Sequence, residues 1–200
     1  MSDIKSVLNA IRESYADIYL EKPSLPPPFI PSGKLKAIVL GTDPSTKEQK
    51  TLNVVFGLDE DHRYFANILK NLNILGLSLE NVYIQNACRN YFTVEAPEND
   101  FWEDITRTYW SAPLKQELDK LDPSKSIPVF ATAEIILRAL VNDPQKVKSA
   151  EDLYEDEILF SPDENLLERT LIPLMRHYAY SLEDWPEYAE AIRHVLTALR

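Results

Sequence analysis

Leu35-Lys36-Ala37-Ile38-Val39-Leu40-Gly41-Thr42-Asp43-Pro44-Ser45-Thr46 is the stretch on which the fold turns. Leu35 and the unbroken run from Ala37 to Leu40 read as a short strand covered by helices on both faces, because a half-exposed strand would alternate apolar and polar residues. Gly41 permits a sharp exit from that strand. The Asp43-Pro44 pair then fixes a turn that leaves the Asp43 carboxylate at the strand's carboxyl end, which in open α/β sheets is the end where ligands bind. Taken alone, an Asp-Pro turn is an ordinary loop or helix start, so its meaning depends on the rest of the chain.

Upstream, Ile4, Val7, Leu8, Ile11, Tyr15 and Ile18 recur at helical spacing and predict an amphipathic helix from Ser2 to Leu20. Pro23, Pro26, Pro27, Pro28 and Pro31 exclude helix or central strand after it. With Leu25, Phe29 and Ile30 in this arm, packing on the domain is expected rather than display as a polyproline ligand. Downstream, Lys47 to Lys50 read as exposed loop and Asn53 to Leu58 as a short apolar excursion centred on Val54, Val55 and Phe56, with Gly57 directly after them. A helix carrying Phe65, Ile68, Leu69 and Leu72 is announced by Asp59 and Asp61 and stopped by Gly76. Val82 to Ala87 is the next strand. Phe101 to Leu121 is helical in two pieces, since Pro113 suits the first turn of a second helix.

Ile127 to Ala131 is a strand, after which Thr132 is expected to cap a helix bearing Ile135, Ile136, Ala139 and Leu140. A short helix near Lys146 to Ala150 and an edge strand near Glu157 to Phe160 follow. Thr170 to Met175 is the last strand, and Pro173 places it at an edge or ends it early. A final helix runs from Trp185 to Arg200. Four strands alternating with helices predict one domain, residues 1–200, built as a three-layer α/β/α sandwich on a mainly parallel four-stranded sheet, with residues 1–33 packed on it.

No segment reaches the length of a membrane span, so a soluble chain without a membrane partner is expected. Cys88, the one cysteine, allows no internal disulfide and no zinc site built on cysteines. With a start that lacks the apolar core of a secretory signal, this suits the cytoplasm. The formal charge of −11 and pI near 4.8 oppose binding to a polyanion at long range, since a DNA-binding surface must replace counterions with Lys or Arg. The acid is uneven, however: Glu151 to Glu168 holds eight acidic residues and no lysine or arginine, and reads as a solvated edge.

The loops after the strands carry Asp43, Asn86 and His177. Together they resemble the signature set of the uracil-DNA glycosylase superfamily, whose best-known branch reads GQDPYH where this chain has Gly41-Thr42-Asp43-Pro44-Ser45. That branch has an aromatic residue thirteen positions after the aspartate, and Phe56 stands at that distance from Asp43. Its base-reading asparagine ends the next strand, as Asn86 does here. Its histidine opens the loop after the last strand, as His177 does in His177-Tyr178-Ala179-Tyr180-Ser181. The resemblance implies catalytic roles for Asp43 and His177, and base contacts from Phe56, Asn86, Thr42 and Ser45. It implies DNA as the partner, no metal, no cofactor and a monomer.

The chemistry explains the grouping. Breaking an N-glycosidic bond makes an oxocarbenium-like sugar and a pyrimidine anion, so charge of both signs must be stabilised within a few ångströms. An ionised Asp43 would face the sugar and orient or deprotonate water. A neutral His177 would donate to the leaving base's O2, Asn86 would pair with the uracil edge, and Phe56 would stack on the ring.

Thr42 in place of the branch's glutamine shortens one polar contact. Ser45 in place of its tyrosine leaves space beside C5, so thymine or 5-substituted uracils would be tolerated. Leu182 is the nearby candidate for a wedge that fills the gap left by a flipped base, and is otherwise a core residue. Each residue also has an ordinary reading: a turn former for Asp43, an Asx turn for Asn86, core for Phe56, a surface histidine for His177. The expected function is therefore a uracil-type DNA glycosylase. A non-cutting nucleobase- or nucleic-acid-binding domain and a hydrolase of free nucleosides are the alternatives.

Overall fold

A computed structural model describes residues 4–45, 52–59 and 65–198. The expected loop over Lys47 to Lys50, and Asp61 at a helix start, lie outside the described residues, as do Thr46, Leu199 and Arg200. Among the described residues the strands are Tyr19–Leu20 (β1), Ala37–Gly41 (β2), Val82–Asn86 (β3), Tyr91–Phe92 (β4), Val129–Ala131 (β5) and Leu171–Pro173 (β6). The α-helices are Ile4–Ser14 (α1), Ala66–Ile74 (α2), Trp102–Ile105 (α3), Ser111–Leu121 (α4), Glu134–Leu140 (α5), Ala150–Glu155 (α6) and Pro186–Ala198 (α7).

β2, β3, β5 and β6 form a four-stranded parallel sheet in the order β3-β2-β5-β6. Every residue of these strands is buried, which for consecutive residues means that both faces are covered. The chain leaves β2 for β3 on one side and later returns to β5 on the other. The carboxyl ends of β2 and β5 therefore bound the crevice where strand order reverses.

β6 is an edge strand and ends at Pro173, so both consequences of that proline are realised. At the opposite edge the proline-rich arm lies against β3, with Phe29 and Ile84 exchanging two backbone hydrogen bonds of 2.9 and 3.1 Å. The same arm accepts the Val55 N–H on the Pro27 carbonyl at 3.0 Å. Between α3 and α4, residues Thr106–Trp110 widen into a π-segment with helical backbone at both junctions, so Trp102 to Leu121 runs as one continuous helix rather than the two pieces expected, and the π-segment precedes Pro113.

Four further local expectations are corrected. α1 stops at Ser14, because Tyr19 and Leu20 are drawn into an antiparallel pair with Phe92 and Tyr91 of β4. Thr132 does not cap α5: its hydroxyl donates to the Leu40 carbonyl at 2.9 Å, tying β5 to β2, and Ala133 is the capping position without a side-chain bond. The short helix expected near Lys146 is α6, capped by Ser149, whose hydroxyl accepts the Asp152 N–H. The edge strand expected at Glu157 to Phe160 reduces to one bridge between Phe160 and Leu171.

Candidate active site

β2 delivers Thr42 and Asp43 straight from its last paired residue. Ala87 N–H donates to the Gly41 carbonyl at 2.7 Å and Cys88 N–H to that of Thr42 at 3.0 Å, so strand pairing continues into both loops. Asp43 is partly buried on this extension, and its Oδ1 accepts the indole N–H of Trp102 at 3.0 Å. Loss of water raises its carboxyl from the ordinary carboxylate range to about 7; the Trp102 hydrogen bond works against that rise and the negative charge of Glu95 adds to it. A carboxyl that exchanges its proton near neutrality suits general base or acid work.

Gly41 is needed here for a reason other than a sharp exit. A Cβ built on it would lie 1.9 Å from Cζ of Phe56, so only glycine lets that ring come so close. Phe56 itself is held in the left-handed region, at φ +60°, which is strained for an aromatic residue. Its ring packs on Phe65, centroids 4.9 Å apart.

Asn86 is the register partner of Gly41. Register partners on neighbouring strands send their side chains to the same face, and successive residues alternate. Tyr83 and Gln85 reach Glu117 of α4 on one face, and strand alternation assigns Asn86, at the strand's end, to the other. Asn86 is 2% exposed, and its Oδ1 has no hydrogen-bond partner among the described residues. A buried acceptor whose lone pairs lack a donor is what a ring N–H would satisfy.

His177 follows β6 on an exposed loop, and its Nδ1 accepts the Ala179 N–H at 3.3 Å. In a neutral ring this tautomer carries the proton on Nε2, which is then a donor. Tyr178, 77% exposed, stacks on the imidazole at 4.2 Å. The loop backbone is gripped from α2: Asn67 Nδ2 donates to the carbonyls of Arg176 and His177, both at 3.1 Å. Asn71 donates to the Tyr180 carbonyl and accepts the Leu182 N–H at 2.9 Å.

Thr42, Phe56 and His177 line one cavity of about 670 Å³, together with Gly41, Phe65, Glu95, Thr132 and Arg176. That volume suits a small organic ligand. Asp43 adjoins it through Thr42. Ser45 reaches it indirectly, its hydroxyl donating to Glu95 Oε1 at 3.3 Å. Asn86 lies beside Gly41 but borders a different cavity, of about 410 Å³, with Arg89, Trp110 and Glu117. Leu182 is 1% exposed, in the core under the last helix, so it is the core residue and does not project as a wedge.

Among the described residues, Glu95, Glu98 and Glu134 line the larger cavity against Arg138 and Arg176. Arg138 is already bonded to Glu103 at 2.5 Å and lies 3.6 Å from Glu134. This part of the rim is acidic. Arg89 pairs with Glu117 at 3.1 Å beside the smaller cavity.

Sequence reading missed Trp102, Glu95, Asn67 and Asn71. Only the asparagine pair left a trace, as two amides four apart on a helix whose neighbouring positions Ile68 and Leu72 are core. No protein-family model matches this chain, and no curated protein matches it in sequence.

Proposed function

We propose that the chain is a uracil-DNA glycosylase-like α/β/α domain that hydrolyses the N-glycosidic bond of uracil or a related pyrimidine in DNA. What carries this reading is the shared end of β2 and β3: the Asp43 carboxyl, poised near neutrality, stands two residues from Gly41, whose register partner Asn86 holds a buried, unpaired acceptor. In the reaction, water adds to C1′ of the sugar and gives a proton to the Asp43 carboxylate. The glycosidic electron pair leaves with the base. His177 Nε2–H donates to the O2 that gathers charge. Asn86 accepts from the ring N3–H and offers its amide N–H to O4, a pattern that cytosine reverses. Phe56 faces the ring.

The acidic lining of the described rim favours a second reading, in which the same step acts on free nucleosides. Labelled oligonucleotides carrying uracil, hypoxanthine, or thymine opposite guanine, followed by alkali, test the first. Chromatography of free deoxyuridine after incubation tests the second. Strand breaks at uracil that vanish in D43N are expected. Base release from nucleosides alone would move the assignment to the second reading, and binding without release would leave a nucleobase-binding domain.

A further inference from the structure

Trp102 is fully buried, and its one polar atom is spent on Asp43: the indole Nε1–H donates to Oδ1 at 3.0 Å. Neighbouring residues fix where that indole sits. Glu103, the next residue of α3, takes Arg138 of α5 at 2.5 Å. One turn on, Arg107 donates to three carbonyls at the end of α5 and just beyond it, those of Ala139, Val141 and Asn142, at 2.7 to 3.3 Å. A core tryptophan needs an apolar hole and some acceptor for its N–H, as Trp110 finds in Asn90 Oδ1 at 2.8 Å. One whose N–H is aimed at a carboxylate by a helix bolted in this way does more than fill space.

We propose that Trp102 is a positioning residue for Asp43: its N–H fixes Oδ1 and leaves Oδ2 as the oxygen that takes a proton. Its kinetic consequence rests on the hydrolytic reading above; its effect on Asp43 does not. Among the described residues, the other titratable groups facing Asp43 are Glu95, whose charge disfavours ionisation, and the Cys88 thiol, which burial pushes well above its usual range. The Thr42 side chain also bonds the carboxyl. Against desolvation and Glu95, the indole is the leading stabiliser of the charged form. A hydrogen bond to a charged group is worth enough to move a titration by about one unit or more.

The test is a titration of the full chain followed by NMR. In the unaltered protein the Trp102 indole N–H resonance is expected to shift with the midpoint of the Asp43 carboxyl carbon, near 7, and to stay flat in D43N. In W102F the Asp43 midpoint should rise by about one unit or more, and any activity should have its acidic limb displaced by the same amount. An indole resonance indifferent to pH overturns the proposal even if W102F does not fold, as does a folded W102F with an unmoved Asp43 midpoint. Absence of base release with these titrations intact would fault the hydrolytic reading and leave this one standing.

Discussion

Asp43 has two measurable signatures at the residue scale, one in stability and one in rate. Its carboxyl titrates near 7 in the folded chain and near 4 when unfolded, so folding takes up a proton between those values. The stability tied to that proton is full below pH about 4 and is lost as pH rises through about 7. D43N lacks it, and should therefore gain thermal stability relative to the parent from pH 5 to pH 8.5, by on the order of a few kcal/mol; a pH-independent difference in Tm would contradict this. Base release, if Asp43 acts ionised, should run the other way and rise through the same midpoint. At Gly41 the contact is steric. G41A places a methyl group 1.9 Å from the Phe56 ring, and should cost about 1–3 kcal/mol in urea unfolding, most of it recovered when Phe56→Ala accompanies it.

Among the elements, α2 is what holds the loop after β6, which carries His177. Asn71 is fully buried and serves Tyr180 and Leu182 at once, so N71L would leave a buried carbonyl and a buried N–H unpaired. Each costs about 1–3 kcal/mol. Faster amide exchange across residues 177–182, with β2 unchanged, is the expected sign; uniform protection would show that the loop does not depend on α2. The four strands of the parallel sheet were legible from sequence because they are short buried, mainly apolar runs, and the loops that follow them came with the strands; the two-residue pair β1 and β4 was not, being too short to leave a pattern. Thr132 was misread because a hydroxyl after a strand can cap a helix or cross to a neighbouring strand. The Leu40 carbonyl that decides between them is 92 residues away. Trp102 escaped for the same reason, lying 59 residues from Asp43; for Leu182 the sequence left wedge and core both open, and its burial decides for the core. Gly41 was recognised as special, but what makes it so is a ring fifteen residues on.

For the whole molecule the net charge stays at −11, but the acidic stretch is locally less lopsided than it looks, since lysines from elsewhere pair with part of it. Glu164 meets Lys146, Asp156 meets Lys148, and Glu168 meets both Lys115 and Lys125. Among the described residues no helix is long and apolar enough to cross a membrane. The borders of the parallel sheet are the remaining large-scale feature. Phe29 zips the arm to the free side of β3, while Phe160 closes β6 at Leu171 just before the proline that cannot donate. Neither flank thus offers a bare ladder of amides for a stranger to extend. A chain cut to begin at Gly33 would lose that hem on one side. Light scattering on a concentration series should then find clumping that the intact chain resists, a guard against fibre growth supplied by the five prolines between residues 23 and 31.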